Sequence, residues 1–95
     1  MEKPFIEIML TKSQIDLLLA IDVLDLEYEE KLKFPIRKED QNIINLEPLE
    51  LEELCGTVAF MADLKKDKKL TNKYNRLFTY LNDYLEKYYR EHGDE

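Results

Sequence analysis

The spacing of apolar side chains between Leu70 and Tyr88 constrains the fold more than any other feature of this sequence. The intervals alternate between four and three residues, and only a helix places side chains with such intervals on one side. A helix is therefore predicted over residues 68–91, and its wide apolar arc needs a covering surface. The positions of the arc are Leu70, Tyr74, Leu77, Leu81, Tyr84 and Tyr88.

The first helix is predicted from its N-terminal cap. Thr11 and Gln14 have the spacing of a capping box, so the helix should begin directly after Thr11. Pro35 disfavours helical geometry at the residue before it, which places the helix at about residues 12–32. Its apolar side chains fall on two nearly opposite sides, as in a helix that is central in its fold or shared between subunits. One of these sides carries Leu17, Ile21, Leu24 and Tyr28.

A second helix is predicted over residues 48–64, because Pro48 suits the first turn of a helix. Gly56 lies inside it at a cost of about 1 kcal/mol relative to alanine, which the close approach of another helix would explain. Phe60 and Leu64 fall on the acidic side of this helix, where they would cover a neighbouring element or form a small exposed patch. Residues 65–69 form either a turn, in which Asp67 caps the last helix, or a charged stretch of one long helix, and we favour the turn.

Two short segments favour strands rather than helices. Apolar residues alternate with a charged one in residues 4–9, and residues 42–46 would pair with them as a two-stranded ribbon. The segment that begins at Arg37 has the composition of a loop. The predicted fold is therefore mainly α: one domain over residues 1–95, a three-helix bundle-like arrangement with this short ribbon.

The scarcity of reactive residue types excludes most chemistry. The chain has two glycines, one histidine and one cysteine, which is too few for a phosphate-binding loop or a zinc tetrad. Cys55 falls on the apolar side of its helix and is expected to be a buried, inert thiol. We therefore expect a protein that is not an enzyme and that binds neither a cofactor nor a metal ion.

Charge and hydropathy bear on location and partners. No apolar run is longer than five residues, as in Leu17–Ile21, so no membrane-spanning helix is predicted, and we expect a cytoplasmic protein. The net charge is −7, but it is distributed in blocks; residues 64–76 hold six bases and one acid. Solvated helix ends explain that basic block, since the negative charge elsewhere opposes nucleic acid.

These observations favour a non-enzymatic interaction module that works by contact with another protein, most simply with a second copy of itself as a dimer, through apolar helix faces. Tyrosine is enriched at interfaces because it combines a large ring with a polar end. The residues predicted for the interface are Tyr80, Tyr89, Phe60, Leu64, Leu17, Ile21, Leu24 and Tyr28.

The alternative hypothesis is an acidic mimic of nucleic acid, of the kind that phage-encoded inhibitors use against a basic protein. Asp22, Asp25 and Glu29 would lie on one face of the predicted helix 12–32, with axial steps of about 4.5 and 6 Å that approach the spacing of phosphates. The interleaved basic blocks weigh against this hypothesis.

Overall fold

The computed structural model describes residues 5–21, 24–64 and 67–92. Helices make up 69% of this part of the chain, so the predicted fold class, mainly α with a short β element, is confirmed. Four helices and three strands are described rather than the predicted three and two. The strands are β1 (Ile6–Leu10), β2 (Ile36–Lys38) and β3 (Gln41–Leu46), and the helices are α1 (Lys12–Leu19), α2 (Leu26–Lys33), α3 (Pro48–Leu64) and α4 (Lys68–His92).

Two compact units can be distinguished, and each is described by itself. One consists of Met1–Ile6 with Leu46–Glu95 and holds α3 and α4; the other is Glu7–Asn45 and holds α1, α2 and most of the sheet. That the whole chain acts as one domain stays a prediction.

In the unit Glu7–Asn45, α1 begins at the predicted capping box. The Thr11 hydroxyl accepts a hydrogen bond from the Gln14 N–H at 3.1 Å, and the Gln14 side chain accepts one from the Thr11 N–H at 2.8 Å. Both bonds satisfy N–H groups that have no partner within the helix. The sequence therefore located the start of this helix correctly.

The prediction of one continuous helix over residues 12–32 is wrong, because α1 ends at Leu19 and α2 begins at Leu26. Ile21 N–H donates to Leu18 O at 3.1 Å, a bond across three residues that tightens the chain beyond the helix. Ile15, Leu18 and Ile21 before the break and Tyr28 and Leu32 after it are all buried. A straight helix with two apolar sides would need a covering surface on each side. Here the chain is broken between α1 and α2, and buried side chains occur on both sides of the break.

The predicted ribbon is one part of a three-stranded antiparallel sheet with the strand order β1-β3-β2. Residues 4–9 and 42–46 were correctly identified as strand segments, although Pro4 lies outside the described residues. Residues 38–42, predicted as a loop, are a tight turn between strands, because Lys38 ends β2 and Gln41 begins β3 in the register Ile36↔Ile43. Glu39 and Asp40 join the two strands with φ angles of 51° and 66°, the backbone of a type I′ turn.

In the other unit, α3 and α4 pack against each other, and their bounds agree with the prediction to within one residue. They are separate helices, and the Asp67 carboxylate accepts a hydrogen bond from the Lys69 N–H at 3.0 Å, as a capping residue does. Lys65 and Lys66 lie outside the described residues. The buried side chains of this pair are Leu51, Leu54, Cys55, Val58, Met61, Ala62, Tyr74, Leu77, Leu81 and Leu85.

Candidate protein-binding surfaces

The outer face of α3 carries three large apolar side chains in solvent. Leu49 is 74% exposed, Phe60 53% and Leu64 56%. Since α-helical residues advance by about 100° each, Phe60 lies three turns beyond Leu49 and Leu64 one turn further. The buried residues of α3 lie on the opposite side of the helix. We call Leu49, Phe60 and Leu64 the outer apolar stripe of α3.

The sequence predicted Phe60 and Leu64 as interface residues, and the structure places both in solvent as one patch. Leu49 was missed. Its signal was present, because it precedes Phe60 by eleven residues and therefore shares its side of the helix. Exposed apolar side chains one turn apart, as Phe60 and Leu64 are, are typical of a surface that another molecule covers.

Tyr80 and Tyr84 form a pair on α4. Their rings meet edge to face with centroids 5.4 Å apart, and their hydroxyl oxygens are 3.3 Å from each other. Burial, and then the hydrogen bond with Tyr84, raise the pKa of the Tyr80 hydroxyl above its ordinary value. Tyr80 is therefore a neutral, half-buried group whose polar end is held within its own helix. That arrangement leaves only part of its ring for a partner.

Tyr89 remains exposed near the end of α4. Its hydroxyl donates a hydrogen bond to the Glu52 carboxylate at 3.2 Å, which joins the end of α4 to the start of α3. Its ring also meets that of Tyr88 edge to face, with centroids 5.6 Å apart. The exposed Tyr89 ring and the outer apolar stripe belong to the same helix pair.

The interface predicted on the first helix needs correction. Ile21 and Tyr28 are buried within the chain, so they belong to the core and are not free to contact a partner. Leu17 and Leu24 are half-buried. Ile21 follows the end of α1 and Tyr28 lies in α2, so the two residues do not share the single continuous helix face that the prediction assumed.

The acidic row of the alternative hypothesis also does not lie along one continuous helix. Asp25 is the N-cap residue of α2, Glu29 lies within α2, and Asp22 lies outside the described residues. The predicted spacing of the three carboxylates assumes a continuous helix over residues 12–32, whereas α1 ends at Leu19 and α2 begins at Leu26. Glu29 is also 3.5 Å from the Lys33 ammonium, so part of its charge is neutralised locally.

The unit Glu7–Asn45 holds a shallow pocket that the sequence did not indicate. Its volume is about 170 Å³. The Asn45 side-chain oxygen is buried and has no hydrogen-bond partner among the described residues, while the Asn45 backbone oxygen accepts from the Lys31 ammonium at 3.0 Å. The pocket has room for a few water molecules or one small side chain. Its lining consists of Lys31, Phe34, Pro35, Ile36, Ile43, Ile44 and Asn45.

Cys55 is buried on the inner face of α3, as predicted. Burial, and then the nearby Glu52 carboxylate, raise the pKa of the Cys55 thiol to about 11. At pH 7.5 the reactive thiolate is therefore about a hundredfold scarcer than for a thiol of ordinary pKa.

We accordingly expect the folded protein to react with a disulfide reagent at pH 7.5 at least a hundredfold more slowly than the urea-unfolded chain. The absorbance of the released thiolate measures both rates, and the unfolded chain is the control for reagent and pH. Equal rates would show that Cys55 is accessible in the folded protein.

Within residues 5–21, 24–64 and 67–92, no three histidine, cysteine, aspartate or glutamate side chains are grouped closely enough to hold a metal ion. None of the helices in this part of the chain has the length and apolar character needed to cross a membrane. Comparison of the chain with known protein families, curated proteins and solved structures gives no match. Its function is therefore inferred from its own residues.

Proposed function

We propose that the protein is a non-enzymatic interaction module that associates with a second copy of itself through apolar helix faces. The observation that carries this proposal is the outer apolar stripe of α3: a helix whose inner face is buried against α4 also carries three large apolar side chains on its solvent face. Phe60 and Leu64 keep the role predicted for them, and Leu49 joins them.

The magnitudes are compatible with association between two copies. Burying a large apolar side chain completely contributes about 1.5–3 kcal/mol, and each stripe residue is already partly covered. Because a two-fold interface uses the same patch on both copies, six such side chains contribute instead of three. This sum has to exceed an association cost of roughly 4–15 kcal/mol, so a modest affinity is expected.

Sedimentation equilibrium over a hundredfold range of concentration tests the proposal. The wild-type protein should show a reversible equilibrium between monomer and dimer, because the stripe is covered only in the dimer. Phe60→Ser should weaken the dimer at least tenfold, whereas Asn72→Ser, at an exposed position of α4, should leave it unchanged. A wild-type protein that is monomeric at every concentration would contradict the proposal.

Salt separates this proposal from the nucleic-acid mimic. Apolar association should persist or strengthen at high ionic strength, whereas a mimic's complex with a basic protein should weaken steeply. The mimic hypothesis now rests on the net charge of −7, because the spacing of its acidic row depended on a helix that is interrupted. Self-association that vanishes at high salt would shift the balance toward an electrostatic role.

A further inference from the structure

Gly56 lies on the same side of α3 as the outer apolar stripe. It is seven residues, or about two turns, after Leu49 and four residues before Phe60. It is exposed, and a Cβ atom built on it would meet no heavy atom of another described element within 4 Å. The close helix approach that would explain this glycine is therefore not made by the described part of the chain itself.

We infer that Gly56 marks the point where α3 crosses α3 of a second copy, with the two helices antiparallel about a two-fold axis beside Gly56 and Thr57. This inference rests on the proposed function and specifies the surface and orientation of the self-association. A glycine at a helix crossing lets the two backbones approach closely, since no side chain lies between them.

The positions along α3 suit an antiparallel two-fold axis. Leu49 and Leu64 are equally far from the point between Gly56 and Thr57, so Leu49 of each copy would contact Leu64 of the other. Phe60 of each copy would lie at the level of Glu53 of the other, with its ring directed toward Gly56, where the absent side chain leaves room for it. The stripe is thus complementary to itself, which favours a second copy over an unrelated helix as its partner.

Charge supports the antiparallel orientation. The first turns of α3 carry Glu50, Glu52 and Glu53 and no basic residue. Beyond Asp63, at the end of α3, α4 begins with the exposed Lys68 and Lys69. Antiparallel helices bring the acidic start of each α3 toward the basic residues that follow α3 of the other copy. Parallel helices would place the acidic starts side by side, where like charges repel.

Gly56→Gln tests the crossing point. Glutamine is a good helix former, so the substituted monomer should be more resistant to heat at low concentration, while its dimer should be at least tenfold weaker than the wild-type dimer. Asn72→Gln makes an exposed side chain longer on α4 and should leave the dimer unchanged. Circular dichroism on the same samples reports the fold and the thermal midpoint.

The outcomes distinguish this inference from the proposed function. If the wild type dimerises and Gly56→Gln dimerises equally well, the crossing at Gly56 is wrong, and the proposed self-association stands. If the wild type never dimerises, the proposed function fails and the inference fails with it. A weaker dimer of a folded, heat-resistant Gly56→Gln protein supports the inference, because a purely structural glycine would not affect the two properties in opposite directions.

Cross-linking tests the orientation. In an equal mixture of Leu49→Cys and Leu64→Cys chains, oxidation should give the mixed disulfide, because antiparallel pairing brings these two positions together. Leu49→Cys alone should cross-link poorly, since its two copies would be about 22 Å apart along the helix axis. The native Cys55 is buried and present in every sample. Efficient cross-linking of Leu49→Cys alone, or none in the mixture, would overturn the antiparallel arrangement.

Discussion

Replacement of Leu81 by alanine is expected to lower the free energy of unfolding by about 2–5 kcal/mol. Leu81 lies in the centre of α4 with 0% of its side chain exposed, where it is surrounded by the core between α3 and α4. The substitution removes buried carbon atoms and leaves a cavity that the surrounding helices fill only in part. Chemical denaturation followed by circular dichroism measures the change.

Leu26→Ala is the matched control, because it is the same substitution at a helical leucine that is 69% exposed. Little apolar surface is lost there, so the free energy of unfolding should change by no more than about 0.5 kcal/mol. A small effect at Leu81 would mean that the packing of α4 on α3 contributes less to stability than its burial indicates. Both variants are compared at a low, fixed concentration so that association does not enter the comparison.

The double substitution Glu39→Asn with Asp40→Gly is expected to raise the free energy of unfolding by about 1–2 kcal/mol. Both residues have positive φ angles, at which the Cβ atom of an L-residue crowds the backbone. Asn-Gly is the preferred pair for a type I′ turn because asparagine tolerates this geometry and glycine has no Cβ atom. Thermal unfolding should show the gain as a rise in the midpoint.

Lys38→Gly is the control for this prediction. Lys38 is the last residue of β2 and pairs with Gln41, and its φ is not positive, so a glycine there adds freedom to the unfolded chain without relieving strain. This substitution should lower the midpoint. A double variant that is no more stable than the wild type would mean that the turn does not limit the stability of the hairpin.

The sequence carried enough information for the elements whose signals are local. The three- and four-residue intervals identified α4, and Pro48 identified the start of α3. The capping-box spacing of Thr11 and Gln14 identified the start of α1, where both hydrogen bonds are present. Each of these signals depends on residues within a turn or two of one another. Such signals act in the same way wherever the helix is finally packed.

The hairpin was missed because its turn lacks the usual sequence signal. Glu39 does not favour positive φ, and Asp40, although aspartate tolerates positive φ, is not followed by the glycine of the usual turn pair, so no strong local signal distinguished the segment from a loop. Its geometry is maintained by the pairing of β2 with β3. The positive φ angles of Glu39 and Asp40 therefore result from the pairing of the strands and not from the preferences of these two residues.

The residues predicted for the interface differ in solvent exposure for a related reason. Phe60 and Leu64 are in solvent, but Ile21 and Tyr28 are in the core, although all four were predicted as interface residues. Periodicity shows that a face is apolar but not which element covers it.

The sequence by itself determined that this chain is mainly helical and where its strongest helices begin and end. Only the tertiary structure decided that the first helix is interrupted, that a hairpin follows it and that Leu49, Phe60 and Leu64, on the side of α3 that Gly56 shares, lie in solvent. The physical reason is the range of the interactions. Caps and periodicity act between near neighbours in the chain, whereas burial depends on residues that are distant in sequence and meet only in the folded protein.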